Sequence, residues 1–200
     1  MPSLGITGGI ATGKSSFTRS LLRCLPATLF DADRCAHELL SADAEVRHAV
    51  RAEFGAQSYG AEGNPNRAYL RDLVFSNAGR RKQLEAILHP VIRSRWMALA
   101  SEANAGNAWL FVDIPLLFES GVESRFDHIA VVACPPNSQL RRLIDVRGLT
   151  SDLAEMMIST QIDLRTKMSK ADHLIWNDSS LSCLDQQAAL LAGWLLQSHA

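Results

Sequence analysis

The sequence predicts an α/β fold built on a parallel, doubly wound sheet, and three observations support this prediction. Residues 109–112 and 128–133 are continuous apolar runs, as expected for strands that are covered on both faces. Helical patterns separate the predicted strands along the chain, which is typical of parallel sheets. A glycine-rich turn joins the first predicted strand to the first predicted helix.

The elements follow one another from the N-terminus in the expected alternation. A short strand at residues 3–6 leads into the glycine-rich turn and a helix from about residue 13 to residue 24. Residues 28–30 read as a second strand that ends at Asp31, and a helix begins at Ala32. The remaining strands are predicted at residues 109–112, 128–133 and 173–176. An amphipathic C-terminal helix carries Leu184, Ala188, Leu191 and Leu195.

Residues 43–105 interrupt this alternation with helical patterns, and we interpret them as an insertion in the α/β core. Asn66 is a predicted N-cap of one helix in this insertion. Pro90 lies inside a longer helical run and is expected to kink or restart it, because proline has no backbone N–H. The chain is therefore predicted to be one domain, with its core at 1–42 and 106–200.

Composition excludes several classes of protein. The chain of 200 residues has 20 Lys and Arg against 21 Asp and Glu, a formal charge of −1, so no basic excess marks a nucleic-acid binder. The N-terminus lacks the pattern of a signal peptide, and no apolar stretch is long enough for a membrane span. The four cysteines form no CxxC pair. We therefore expect a cytoplasmic protein with reduced thiols.

Residues 8–15 read GGIATGKS and match the phosphate-binding motif GxxxxGK[ST] between a strand and a helix. Backbone N–H groups of such a loop surround phosphates, and the helix N-terminus adds positive potential. Gly8 and Gly13 permit backbone angles that a side chain would forbid. Lys14 is predicted to reach the β- and γ-phosphates of a nucleotide, and the Ser15 hydroxyl to ligate Mg²⁺. The loop alone does not separate kinases from ATPases or GTPases.

Acidic residues follow two of the predicted strands, at the sheet edge where ligands bind in doubly wound folds. Asp33 is placed to accept or orient the proton of an attacking hydroxyl. Asp31 is placed to bind either the coordination shell of a metal ion or backbone groups. The alternative is that both carboxylates merely cap the next helix. Asp113 resembles a Walker B acid, which either binds Mg²⁺ through water or only pairs with Lys14 or Ser15 of the loop.

Cations are concentrated in residues 137–171, after the fourth predicted strand. Arg142 and Arg147 belong to this segment, and Arg or Lys stabilises the charge that develops on a transferred phosphoryl group. A mobile lid with such cations would also exclude water. The alternative is a solvated helix face. His89 has two possible roles, one structural and one in contact with substrate.

Seven segments, in order and spacing, resemble the dephospho-CoA kinases, the enzymes of the last step of coenzyme A synthesis. The segments are GITGGIATGKSS, DADRCAHELL, NRAYLRDLVF, LEAILHPVIR, DIPLLFESG, QLRRLIDVRGLT and ADHLIWND. The resemblance implies a P-loop kinase fold: a five-stranded parallel sheet flanked by helices, a helical CoA-binding insertion at 43–105 and a lid at 137–171. It implies transfer of the ATP γ-phosphoryl group to the ribose 3′-hydroxyl of dephospho-CoA, with Mg²⁺ as cofactor.

The resemblance also assigns the site, residue by residue. The predicted catalytic residues are Asp33 (as base), Lys14 and Arg142. The predicted ATP-binding residues are Gly9, Ile10, Ala11, Thr12, Gly13, Lys14, Ser15, Ser16, Arg142 and Arg147. The predicted substrate-binding residues are Thr7, Asp31, Asp33, His89 and Lys167, and the predicted metal ligands are Ser15 and, as an open alternative, Asp113. Many family members have glycine at the position of Ala11, a free position of the motif.

Two other functions are less consistent with the sequence. One is a kinase of the same fold that acts on a nucleoside or nucleotide. It is less favoured because the DAD motif and the LHP sequence of the insertion match the dephospho-CoA kinases. A GTPase switch is disfavoured because the DxxG match at residues 145–148 ends a helical segment and the sequence has no NKxD motif. The expected partners are ATP and dephospho-CoA, without nucleic acid or membrane, in a monomer or small homo-oligomer.

Overall fold

The computed structural model describes residues 2–102 and 109–198, and five strands in these ranges form one parallel sheet. The strands are β1 (Ser3–Gly8), β2 (Ala27–Asp31), β3 (Trp109–Asp113), β4 (His128–Ala133) and β5 (His173–Trp176). Their order across the sheet is β2-β3-β1-β4-β5. β1 therefore lies in the centre, and its carboxyl end is flanked by those of β3 and β4. The predicted fold class is confirmed.

Helices fill the connections between these strands. They are α1 (Lys14–Cys24), α2 (Ala32–Ala42), α3 (Ala44–Phe54), α4 (Arg67–Ser76), α5 (Ala78–Glu102), α6 (Pro136–Asp145), α7 (Ser151–Ser159), α8 (Leu164–Ser169) and α9 (Leu181–Ser198). Asn66 caps α4 as predicted, because its side chain accepts a hydrogen bond from the Tyr69 N–H at 3.2 Å. The expected restart at Pro90 is wrong: α5 continues through it. The buried side chains of Leu88 and Ile92 hold this part of the helix in place.

Both faces of the sheet are buried, which explains the continuous apolar strands. One face packs against α1 and α9 through a cluster that includes Ile6, Phe17, Phe111 and Leu191. On the other face, Ile129 and Val131 of β4 pack with Leu117, Phe118 and side chains of the α8 region. The sheet is thereby a rigid base for the loops that leave its carboxyl edge.

The described chain separates into two compact units. Residues up to Phe30 and from Ala100 onward form the first unit, which contains the sheet, and Asp31–Leu99 forms a second, helical unit. The predicted insertion, 43–105, falls mainly in the second unit; its end at 105 and the restart of the core at 106 lie outside the described residues. These boundaries stay predictions. Within the described ranges, we find no helix with the length and hydropathy that a membrane span requires.

Two histidines and a tryptophan meet at the amino ends of β4 and β5. The ring centroids of His128 and His173 are 5.5 Å apart, and that of Trp194 lies 4.5 Å from His173. Nε2 of His173 is buried and makes no hydrogen bond with the described residues. Burial lowers the pKa of His173, the neighbouring His128 lowers it further, and Asp172 opposes the shift.

This cluster predicts a loss of stability in mild acid. The folded-state pKa of His173 lies below the unfolded value of about 6.5, so the unfolded chain binds more protons as the pH falls. The contribution of His173 to the free energy of unfolding is therefore complete above about pH 6.5 and is lost as the pH falls through the folded-state pKa. Urea unfolding at a series of pH values should show this slope.

The matched variant for this experiment is His173→Phe, which keeps a ring between His128 and Trp194 but cannot titrate. We expect a smaller pH slope in this variant. Some slope should persist, because burial also lowers the pKa of His89. An unchanged slope in His173→Phe would contradict the prediction.

Candidate active site

The phosphate-binding motif forms the loop between β1 and α1. Ala11 has a φ of 58° and Gly13 a φ of 91°, so both lie in the left-handed region. The loop closes on itself through a hydrogen bond from Thr12 Oγ1 to the Gly9 carbonyl at 2.8 Å. Helix α1 begins at Lys14, directly after the loop. A glycine-rich loop followed directly by a helix N-terminus is an arrangement that can bind an anion through backbone N–H groups.

The left-handed conformation of Ala11 is one that glycine adopts more easily than alanine. A side chain in this conformation costs about 1–2 kcal/mol, a cost that glycine avoids. The conformation persists with alanine only because contacts elsewhere fix the loop.

Lys14 and Asp113 form an ion pair beneath the loop. Asp113 ends β3, and its Cα pairs in register with Ile6 of the neighbouring β1. Lys14 Nζ donates to Asp113 Oδ1, and Asp113 is 6% exposed. Of the alternatives left open for Asp113, the structure contains the pair with Lys14. This contact holds the lysine at the carboxyl edge of the sheet, next to the loop.

The residues beside Lys14 fit a hard divalent cation. Ser15 is exposed in the first turn of α1, and Asp113 follows the adjacent strand. A hydroxyl and a carboxylate are the oxygen ligands that Mg²⁺ prefers when substrate phosphates and water complete its shell. Within the described residues, no group of three or more His, Cys, Asp or Glu side chains forms a self-sufficient metal site.

Three side chains bind the backbone carbonyls of the loop from outside. Gln139 Nε2 donates to the Ile10 carbonyl at 2.8 Å. Arg142 Nη1 donates to the carbonyls of Ala11 and Thr12 at 3.2 Å each, and its Nη2 to the Asn177 carbonyl at 2.9 Å. Asn177 Nδ2 donates to the Thr12 carbonyl at 2.8 Å. The guanidinium of Arg142 thus lies against the loop backbone.

Sequence reasoning missed Gln139 and Asn177. Asn177 comes directly after β5, and Gln139 lies in the first turn of α6, soon after β4. One sequence signal could have identified them: both are polar residues that follow the carboxyl ends of parallel strands, and ligands bind at that edge of the sheet.

A buried lysine of α8 binds carbonyl groups at the carboxyl edge of the sheet, next to the loop. Lys167 has no exposed surface, and its Nζ pairs with Glu119 Oε1 at 2.8 Å. The same Nζ lies 3.3 Å from the Pro115 carbonyl, which also accepts from the Thr7 hydroxyl at 3.0 Å. Thr7 and Lys167 both bond to protein groups here, so their contact with substrate stays a prediction.

The two acidic residues at the start of the second unit differ in role. Asp31 is the N-cap of α2, because its Oδ1 accepts from the Arg34 N–H at 2.9 Å. Asp33 lies in the first turn of the same helix and is exposed. The capping alternative therefore describes Asp31, and the side chain of Asp33 faces solvent in the described unit.

Two further predicted site residues lie apart from these clusters. Arg147 is exposed just after α6, in the predicted lid. His89 is half-buried on α5, where burial lowers its pKa and Glu85 opposes the shift. Neither position assigns a ligand by itself.

The second unit contains an open cavity of about 390 Å³ between α2, α4 and α5. Its apolar lining residues are Leu40, Ala68, Leu70, Val74 and Leu84, and its polar ones are His37, Arg67 and Arg71. An apolar wall with a few cationic groups is suited to a ligand that has both an aliphatic part and a phosphate.

Comparison with known proteins agrees with the resemblance. The family model described as dephospho-CoA kinase matches residues 3–182. A dephospho-CoA kinase of Burkholderia thailandensis is 36% identical over 193 residues, which cover 96% of this chain and 93% of the relative. One of Listeria monocytogenes is 37% identical and covers 92% of each chain.

Two solved structures share the fold of this chain. TT1252 from Thermus thermophilus aligns with a TM-score of 0.79 and 31% identity over 98% of this chain and 97% of its own. A dephospho-CoA kinase from Campylobacter jejuni aligns with a TM-score of 0.73 and 28% identity over 99% and 98%. On the strength of the motif, the fold and these matches, the chain belongs to the dephospho-CoA kinase family.

Proposed function

We propose that this protein transfers the γ-phosphoryl group of ATP to the ribose 3′-hydroxyl of dephospho-CoA, with coenzyme A and ADP as products. The observation that supports this most is the left-handed loop before α1, with Lys14 at the helix start, in a chain that matches the family model over residues 3–182. The loop supports a phosphate site, and the family match supports dephospho-CoA as the acceptor.

The nucleotide site accounts for the electrostatic part of catalysis. Phosphoryl transfer needs positioning and positive potential more than covalent chemistry from the protein. Residues 9–16 would surround the phosphates through backbone N–H groups, and Lys14 would exchange its contact with Asp113 for the β- and γ-phosphates. Ser15 and Asp113 would hold Mg²⁺, which neutralises charge on the phosphates when bound.

Asp33 is the proposed base on the acceptor side. Its carboxylate is exposed in the first turn of α2, two residues after the end of β2. A ribose hydroxyl has a high pKa, so a carboxylate that accepts or orients its proton favours attack on phosphorus. Asp31 supports this role by capping the helix that carries Asp33.

The lid supplies the remaining cations. Arg147 is exposed in this segment and would add positive charge near the transferred group when the lid covers the site. Covering the site also excludes water, which limits hydrolysis of ATP. Arg142 is proposed to act on the phosphates through the loop backbone that it binds.

The pantetheine arm of the acceptor is proposed to bind in the second unit, which contains most of residues 43–105. The cavity between α2, α4 and α5 offers an apolar wall for the aliphatic part and Arg67 and Arg71 for the diphosphate. His89 and Lys167 stay proposed substrate contacts. We also propose a cytoplasmic enzyme that is a monomer or small homo-oligomer.

A filled cavity should weaken acceptor binding alone. Ala68 is exposed on α4 and lines the cavity, so Ala68→Trp introduces bulk there without entering the core. We expect KM for dephospho-CoA to rise by about tenfold or more, a loss of roughly 1.4 kcal/mol, with KM for ATP unchanged. Ala78→Trp, an exposed position outside the cavity on α5, is the matched control. Equal KM values for dephospho-CoA in the two variants would mean that the pantetheine arm does not bind in this cavity.

A coupled ADP-release assay tests the proposed function. With ATP and Mg²⁺, the protein is offered dephospho-CoA, adenosine, AMP and shikimate as acceptors. We expect dephospho-CoA to give the highest kcat/KM by a wide margin. Preference for adenosine or AMP would instead identify a nucleoside or nucleotide kinase of the same fold.

A further inference from the structure

The carbonyl groups of the phosphate loop point outward onto protein side chains. Ile10, Ala11 and Thr12 each direct their carbonyl oxygen to Gln139, Arg142 or Asn177, at 2.8–3.2 Å. We define these three side chains as the carbonyl cradle. They come from α6 and from the residue after β5, and all belong to the first compact unit.

These contacts decide where the N–H groups of the loop point. In a trans peptide the C=O and the following N–H lie on opposite sides of the chain, and the structure contains no cis peptide bond in its described residues. An outward carbonyl at residues 10, 11 and 12 therefore turns the N–H groups of Ala11, Thr12 and Gly13 inward. The Thr12 N–H points inward but donates to the Gly9 carbonyl at 3.3 Å, so in this structure it closes the loop. The orientation is therefore relevant to phosphate binding mainly for the N–H groups of Ala11 and Gly13.

The cradle also fixes the strained part of the loop. Ala11 is in the left-handed region without being glycine, and such a conformation persists only where surrounding contacts fix it. Gln139 binds the carbonyl before Ala11 and Arg142 binds the carbonyl of Ala11 itself. Asn177 lies so close to Gly13 that a Cβ there would collide with its amide, so the contact also requires glycine.

One cradle residue, Gln139, is buried, and Arg142 and Asn177 are half-buried. Gln139 is 4% exposed, and a Cβ at Gly9 would lie 2.5 Å from its Nε2, so loop and side chain are in direct packing contact. Arg142 contacts three carbonyls, an arrangement for which the planar guanidinium is suited and a lysine is not. The Asn177 N–H is itself bonded to the Ala133 carbonyl at 2.7 Å, at the end of β4.

We propose that Gln139, Arg142 and Asn177 are positioning residues that preset the loop N–H groups toward the phosphates. This proposal rests only on the nucleotide-binding part of the proposed function. In this proposal Arg142 contributes to nucleotide binding itself, so its replacement should weaken the binding of ADP as well as slow phosphoryl transfer. An arginine that acted only on the group in flight would leave ADP affinity unchanged.

Calorimetric titration of the full chain with ADP and Mg²⁺ tests the proposal. Gln139→Met keeps the length of the side chain but removes the donor, and we expect the Kd for ADP to rise about three- to tenfold, the range for one lost hydrogen bond. Arg142→Lys keeps the charge but loses the fork, and we expect a rise of at least about tenfold. Asn177→Asp removes a donor without a change of shape and should also raise the Kd.

A matched control separates positioning from general stability. Tyr59 is buried, and its hydroxyl donates to the Leu40 carbonyl at 3.0 Å in the second unit. Tyr59→Phe therefore removes one bond to a backbone carbonyl far along the chain from the loop, and should leave the Kd for ADP within about twofold. Titrations are made at a temperature where circular dichroism shows each variant fully folded.

The outcomes are distinct. A raised Kd for ADP in the folded cradle variants, but not in Tyr59→Phe, supports positioning. Lower melting temperatures with unchanged Kd values would show that the contacts only stabilise the fold, and would overturn the proposal. If Arg142→Lys alone kept both ADP affinity and kcat, the arginine would act through its charge and not through the carbonyls. Failure of the wild type to bind ADP would instead reject the proposed function.

Discussion

Replacing Asp33 with asparagine is expected to lower kcat by about 10²–10⁴-fold, the usual effect of losing a positioned general base. Asparagine has nearly the same shape but cannot accept the proton of the 3′-hydroxyl. Affinities for ATP and dephospho-CoA should stay near those of the wild type. Because phosphoryl transfer has a loose transition state, positioning outweighs proton removal, and we expect a loss at the low end of this range. Single-turnover rates and equilibrium binding measure the two effects separately.

Asp31→Asn is the matched control for this variant. Asparagine is as good an N-cap as aspartate, so the bond to the Arg34 N–H and the start of α2 should both persist. Asp31→Asn removes the same charge as Asp33→Asn, two residues earlier in the chain. We expect it to have a much smaller effect on kcat. A normal rate for Asp33→Asn beside an inactive Asp31→Asn would reverse the two roles.

Removal of the loop lysine should have the second large effect. Lys14→Ala is expected to lower kcat/KM by at least about 10²–10³-fold, as for the loss of one preorganised charged donor. The ammonium group should contribute to the binding of the phosphates and, more strongly, to the transfer step. Steady-state kinetics with varied ATP gives both parameters.

The ion pair with Asp113 calls for a second variant. Lys14→Ala leaves a carboxylate that is 6% exposed without this partner, which should destabilise the fold. The double variant Lys14→Ala/Asp113→Asn removes that charge and should recover most of the lost stability but none of the activity. If the double variant regained activity, the loss of activity in Lys14→Ala would come from the buried Asp113 carboxylate and not from missing phosphate contacts.

Local patterns in the sequence were sufficient for the strands and the loop. The apolar runs predicted the three central strands because these are buried on both faces, and shorter apolar runs predicted the two partly exposed edge strands. The loop motif requires a strand before it and a helix after it. The Asn66 cap was also local, since its acceptor and donor are three residues apart. Of the two effects expected at Pro90, a kink or a restart, the restart did not occur, because packing of the surrounding helix outweighs one lost backbone bond.

The contacts that fix the loop had no local pattern to reveal them. Gln139 is 129 residues from the carbonyl that it binds, and Asn177 is 165 residues from Thr12. Only the folded sheet brings these positions to one edge. The same is true of Lys167, which the resemblance assigns to substrate binding and which is fully buried against Glu119. Charge and spacing alone do not distinguish a lysine that contacts substrate from one that pairs inside the fold.

The position of the transferred phosphate tests the central claim most directly. The wild-type protein is incubated with ATP, Mg²⁺ and dephospho-CoA, the diphosphate bond of the product is cleaved with a nucleotide pyrophosphatase, and the fragments are identified by mass spectrometry and ³¹P NMR. The account predicts adenosine 3′,5′-bisphosphate together with phosphopantetheine. Recovery of AMP, of the 2′,5′-isomer, or of a second phosphate on the pantetheine fragment would contradict it.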